Sequence, residues 1–160
     1  MPGGSKIFVT SIEEQPRVRS RILYQVDKGT ATLRILNLQN NNLTDNIMGT
    51  FPEGCTLRTL ELNGNHLEGE VPNSLANCAN AEVLNLGANN INGNIPCFLA
   101  NLSKLRILIL RSNKFHGNIG CRDNYLWPKL QIIDLALNNF SGINSTAKFL
   151  FTEEGDDGWG

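Results

Sequence analysis

Long hydrophobic runs are missing from this chain. The start offers only Ile7-Phe8-Val9, far short of the apolar core of a secretory leader, about 7–15 residues long. No stretch approaches the roughly 18 consecutive apolar residues of a spanning helix. Charge of one sign is missing too: 14 basic residues stand against 15 acidic ones, for a formal net charge of −1. A nucleic-acid partner or a polybasic membrane surface is therefore not signalled. Cysteine is sparse, with four in 160 residues, so this is no disulfide-dense miniprotein. What is abundant is an unusual pair. Leu and Asn occur 22 times each, and every Asn lies between Asn37 and Asn144. With 41% apolar residues the chain can bury one modest core.

The two residue types fall into one register. The pattern L-x-x-L-x-L-x-x-N-x-L fits Leu33, Leu36, Leu38, Asn41 and Leu43, then Leu57, Leu60, Leu62, Asn65 and Leu67. It fits again at Ala81, Leu84, Leu86, Asn89 and Ile91, at Leu105, Leu108, Leu110, Asn113 and Phe115, and at Leu130, Ile133, Leu135, Asn138 and Phe140. The starts are 24, 24, 24 and 25 residues apart, and of the 25 positions only Ala81 departs from a large apolar residue or Asn. This is the leucine-rich-repeat pattern.

Each residue type has a physical reason. In x-L-x-L-x alternate side chains face opposite sides of a strand, so Leu60 and Leu62 point inward while Thr59, Glu61 and Asn63 point out. The chain then turns, and an inward amide, with two donors and an acceptor, satisfies backbone groups of its own and neighbouring coils. The second half of each unit reads x-L-x-G-x-[IV]-P, as in Leu67-Glu-Gly69-Glu-Val71-Pro72 and Ile91-Asn-Gly93-Asn-Ile95-Pro96. Gly permits a tight turn there, and Pro fixes φ. The fourth unit has Gly120 in place of Pro; the first has Asp45 for Gly and Met48 for Pro.

The expected fold is an α/β-class leucine-rich-repeat solenoid, right-handed, of five 24-residue coils with a parallel concave sheet. Its convex side should hold extended or 3-10 pieces rather than long helices. The chain divides into a non-repeat segment 1–32, repeats over 33–145 and an acidic tail 146–160 containing Glu153-Glu-Gly-Asp-Asp157. Ile22-Leu-Tyr-Gln-Val26 is a candidate strand over the first coil's open end, against a loose tail as the plainer reading.

From about Thr32 to Gly142 the sequence resembles the plant extracellular leucine-rich-repeat family. It is most similar to receptor-like proteins of plant immunity, the group that includes Verticillium-wilt resistance receptors. The stretches that carry the resemblance are Phe51-Pro-Glu-Gly-Cys55, Ser74-Leu-Ala-Asn-Cys78, Val83-Leu-Asn-Leu-Gly87, Pro96-Cys97, Phe115-His-Gly-Asn-Ile119 and Trp127-Pro-Lys-Leu-Gln-Ile-Ile-Asp-Leu135. The resemblance implies a plasma-membrane protein, recognising ligands on its extracellular side and recruiting a co-receptor kinase. Lacking a readable leader, spanning helix or cap, the chain reads as a fragment or cut-down receptor. A secreted inhibitor of the polygalacturonase-inhibiting type and an inactive truncated product are the alternatives.

Cys97 and Cys121 are 24 apart at the same repeat position, and Cys55 and Cys78 are 23 apart. Stacked coils bring such pairs within disulfide reach; buried free thiols are the competing reading. The spacing excludes a CxxC zinc site. Sequons occur at Asn42, Asn101, Asn139 and Asn144, either as glycan acceptors or as by-products of Asn-rich repeats. His66 and His116 share no motif with a cysteine or serine, and Glu61 and Asp134 share a column three coils apart, about 15 Å at strand spacing. No enzyme and no cofactor is expected. The outward columns instead end in an apolar group of Ile107, Ile109, Ile132 and Leu137 around Arg111, with Asp134 beside it. Such a patch suits a protein or peptide ligand with Arg111 as polar anchor, although β-branched residues also simply suit a strand.

Overall fold

The computed structural model describes residues 5–8, 33–47, 51–121, 126–143 and 150–151. The x-L-x-L-x segments form the short strands β2 (Leu33–Asn37), β3 (Thr59–Glu61), β4 (Val83–Asn85), β6 (Ile107–Ile109) and β9 (Ile132–Asp134), and a strand from outside the repeats, β1 (Ser5–Phe8), joins them. They pair in parallel as one six-stranded sheet, in the order β1-β2-β3-β4-β6-β9. The register stacks like on like: Ile35, Thr59, Val83, Ile107 and Ile132 form one outward column, and Asn37, Glu61, Asn85, Ile109 and Asp134 the next. The five repeats make a solenoid of about four turns.

After each ladder Asn a second run of extended backbone forms. β5 (Asn92–Gly93), β7 (Lys114–Ile119) and β10 (Asn139–Ile143) pair in parallel on another face. A third pairing joins β8 (Leu126–Trp127) to β11 (Leu150–Phe151). The convex side carries two 3-10 turns, Asn73–Asn77 and Cys97–Asn101, each preceded by a proline, Pro72 or Pro96, and each burying a leucine, Leu75 or Leu99. Among the described residues these two turns are the whole helical content, so the α side of the class shrinks to them. No helix among the described residues is long and apolar enough to cross a membrane.

The expected inward residues line the core. Leu36, Leu60 and Leu108 are fully buried, as are Leu38, Leu62, Leu86 and Leu110. Burial at this level removes whole side chains from water, at about 1.5–3 kcal/mol each. Ala81, the one small residue in the pattern, is also fully buried.

At the amino-terminal edge Ser5–Phe8 adds a strand to β2; the sequence offered the Ile22–Val26 segment as a candidate strand for that end. That segment lies outside the described residues, as does the acidic run Glu153–Asp157. The strand extends the sheet beyond the repeat register: Ile7 and Phe8 sit 29 residues upstream of Leu36 and Asn37, their partners.

Candidate functional site

The inward amides fix the shape of the concave face. Asn41, Asn65, Asn89 and Asn113 are buried, at 5–8% exposure. Asn65 Nδ2 donates to Leu62 O in its own coil and to Leu38 O in the preceding one, at 2.9 and 3.0 Å. Its Oδ1 accepts the backbone N–H groups of Asn41 and Leu43, both at 3.1 Å. Asn89 repeats this with Leu86 O, Leu62 O and Leu67 N, and Asn113 with Leu110 O, Leu86 O and Ile91 N. Each side chain thus answers backbone groups that water cannot reach. The amides bind each coil to the one before it.

Two features of this face escape the repeat pattern. The residue just before the ladder Asn adopts a left-handed conformation in every coil: Asn40 (φ 53°), Gly64 (71°), Ala88 (50°), Ser112 (56°) and Leu137 (56°). Leu is an unusual tenant of that region, and here its side chain stands 69% exposed. In three coils the strand's last residue also caps itself. Asn37, Asn85 and Asp134 each accept the N–H two residues on through Oδ1, at 3.1, 3.2 and 3.0 Å. Asx residues favour such local bonds, and the Asn/Asp at that place in the sequence was their available signal.

The missing glycine of the first unit has a matching account. Asp45, Gly69, Gly93 and Gly117 share one place in successive coils, with φ between 71° and 97°. Asp tolerates this region better than most side chains. At Gly69 a Cβ would also meet the Asn46 side chain of the preceding coil, which would have to move aside, so φ is the main bar to a side chain there.

The apolar group lies where the last strands meet solvent. Ile132 is 50% exposed and Leu137 69%, the exposed large hydrophobics among the described residues. Ile107 and Ile109 on β6 are half-buried, and β6 pairs directly with β9. Arg111 Nη1 lies 3.4 Å from Asp134 Oδ2. Asp134 therefore divides its oxygens, one on its own backbone and one on Arg111. The face combines a cation, its carboxylate partner and four aliphatic side chains.

The other sequence candidates are placed as follows. Cys55 is joined to Cys78 and Cys97 to Cys121, with Cα separations of 4.5 and 5.6 Å. The first bond links the first coil to the second, and the other links the third to the fourth. Asn42, Asn101 and Asn139 are exposed; Asn144 lies outside the described residues. His66 and His116 are exposed on separate coils. Among the described residues no three His, Cys, Asp or Glu side chains converge for a metal ion.

A family model described as Leucine Rich Repeat matches residues 56–78 and 80–102, and a second of the same description matches 31–51. A search of curated proteins returned no match. Among solved structures, a chain of the BIR3–SERK2 complex from Arabidopsis thaliana is 31% identical, with a TM-score of 0.59 over 70% of this chain and 58% of its own. The ectodomain of the receptor kinase SOBIR1 from Arabidopsis thaliana is 28% identical, with a TM-score of 0.60 over 71% of this chain and 62% of its own. The plant peptide hormone receptor RGFR1, solved in complex with RGF2, is 30% identical, with a TM-score of 0.62 over 69% of this chain and 18% of its own. The chain thus spans less than two thirds of each of these neighbours. It carries leucine-rich repeats, and its structural neighbours include plant leucine-rich-repeat receptor ectodomains.

Proposed function

We propose that this chain is a recognition segment of a plant receptor-like protein and that it binds a protein or peptide on its concave face. The observation that carries the reading is the exposed pair Ile132 and Leu137 beside Ile107, Ile109 and the Arg111–Asp134 ion pair. Solvent-facing aliphatics around one paired cation suit a ligand that brings apolar side chains and a polar group. The peptide complex of one structural neighbour supports the ligand class. Two disulfides suit an oxidising compartment, in keeping with the extracellular side of the plasma membrane. The exposed sequon residues Asn42, Asn101 and Asn139 are proposed glycan acceptors there. A role in defence signalling of the Verticillium-wilt-resistance type, through a co-receptor kinase, completes the reading.

The test is selection from a displayed peptide library on the folded chain, followed by rebinding to an Ile107→Asp, Ile109→Asp double variant. Peptides enriched on the native chain should lose binding to the variant. Undiminished binding overturns the concave site.

A further inference from the structure

One edge of the solenoid carries charge that the near-neutral composition conceals. Arg34, Arg58, Glu82, Arg106 and Gln131 hold the same place, one residue into each coil. Their backbones form an unbroken ladder: each N–H donates to the carbonyl of the previous coil's residue, at 2.8–2.9 Å, from Arg58 to Arg34 through Gln131 to Arg106. The side chains thus leave the edge at strand spacing, about 4.8 Å apart. Arg34, Arg58 and Arg106 are exposed, and so are Lys104 and Lys129, each directly ahead of its coil's first leucine. Five cations face one carboxylate along this line. The opposite edge has the reverse balance, with exposed Asp45, Glu68 and Glu70 against Lys114.

The cations are positioned without being neutralised. Arg106 Nε and Nη2 donate to the neutral Gln131 Oε1 at 3.2 and 3.0 Å. Lys104 Nζ donates to the neutral Asn80 Oδ1 at 2.6 Å. The one opposite charge, Glu82, stands 4.0 Å from Arg58, with side chains 39% and 51% exposed, a distance and exposure at which pairing is weak. The neighbouring places along the edge hold Thr56 and Asn80, so no large apolar group interrupts it. The exposed sequon residues Asn42, Asn101 and Asn139 sit at other places in the repeat.

We infer that this edge is a docking surface for an acidic, extended polypeptide segment of a partner protein. Guanidinium forks match carboxylates, and carboxylates on flexible stems adjust to rungs set by the coil spacing. Glu82 adds a register: the partner needs a neutral or basic residue opposite the third rung. The edge borders the apolar concave face, with Arg106 directly before Ile107 and Gln131 directly before Ile132, but it suits a ligand of different chemistry.

The experiment measures binding of a fluorescent Glu-rich decapeptide to the disulfide-intact chain at low and high salt. A polyuronate and anionic phospholipid vesicles serve as competing polyanions, and sedimentation follows self-association. Binding should weaken with salt and should fall roughly tenfold or more in an Arg34→Glu, Arg58→Glu, Arg106→Glu variant. The Arg→Gln triple, which is gentler on folding, should show a smaller loss in the same direction. Glu82→Gln should tighten binding of a uniformly acidic peptide. Equal binding by either arginine variant overturns the proposal. So does tighter binding of the polyuronate or the vesicles, or salt-sensitive self-association that consumes the edge.

Discussion

The fourth and fifth coils hold the same residue types in the same places, yet only one of them is a core. Leu105, Leu108, Leu110 and Phe115 are buried to 1% or less, whereas Ile133, Leu135 and Phe140 in the next coil are only partly buried. Asn113 is buried while Asn138, with the same pattern of bonds to Leu110 and Leu135 carbonyls, is part-exposed. The fourth coil has a described neighbour on both sides; β9 of the fifth is the last strand of the sheet. Burial in a solenoid is thus a property of the interface between coils rather than of the coil, the nearest-neighbour behaviour of repeat proteins.

The sharpest test of that difference is a pair of cavity substitutions. Leu108→Ala should cost about 2–5 kcal/mol, because packed neighbours on both sides cannot collapse into the space. Leu135→Ala removes a side chain already in part solvated and should cost about 1–2 kcal/mol. Denaturant titration of each variant gives the two values. Equal losses would mean that the fifth coil is covered as well as the fourth.

Covalent bonding divides the coils in a second way. Cys97–Cys121 ties the fourth coil to the third across 24 residues, and no described disulfide ties the fifth to the fourth. Closing a loop of this length stabilises by about 3 kcal/mol in the chain-entropy account. A Cys97→Ser, Cys121→Ser variant should lose about that much, and amide exchange through Leu105–Leu110 should rise toward the rate in the fifth coil. If exchange in the fourth coil stays slow, the non-covalent ladder alone distinguishes the two coils.

The ladder itself gives a smaller contrast. Asn89→Ala leaves the Leu67 N–H without its acceptor inside the protein, while Leu62 O and Leu86 O each lose one of two amide donors and keep Asn65 and Asn113. The change should cost about 1–3 kcal/mol. Asn138→Ala exposes its former partners partly to water and should cost less. Thermal unfolding of the two variants, under matched conditions, orders them. An Asn89→Ala protein as stable as the native chain would show that water or backbone shifts replace the amide.

These inward columns are the part that was legible in the sequence, because period and burial are the same information. Every expected inward Leu from Leu33 to Leu110 is buried, and the outward columns pair in the anticipated register. Two things were not legible. The left-handed turn before each ladder Asn carries five different residues, Asn, Gly, Ala, Ser and Leu, so composition gives no sign of a conformation imposed by the coil. The edge strand Ser5–Phe8 lies outside the repeat, 29 residues from its partners rather than 24, and no periodic pattern reaches it. The recognition face was legible only as a set of exposed places. Their chemistry varies from coil to coil, and periodicity is silent about what varies.

The weakest link between the two coils is the one nearest that face. Arg111 and Asp134 meet at 3.4 Å with side chains 52% and 31% exposed, so screening limits the pair to about 0.2–1 kcal/mol. Asp134 also caps its own strand through the Ala136 N–H, which separates charge from hydrogen bonding. Asp134→Asn keeps an acceptor for the cap and should cost only a few tenths of a kcal/mol, vanishing in high salt. Asp134→Ala loses the cap as well, at about 1 kcal/mol in total and with little salt dependence in the added part. A double-mutant cycle with Arg111→Ala, run at two ionic strengths, separates the contributions. Coupling that survives high salt would mean the pair is shielded from solvent, and that the concave face is less open than its side-chain exposures imply.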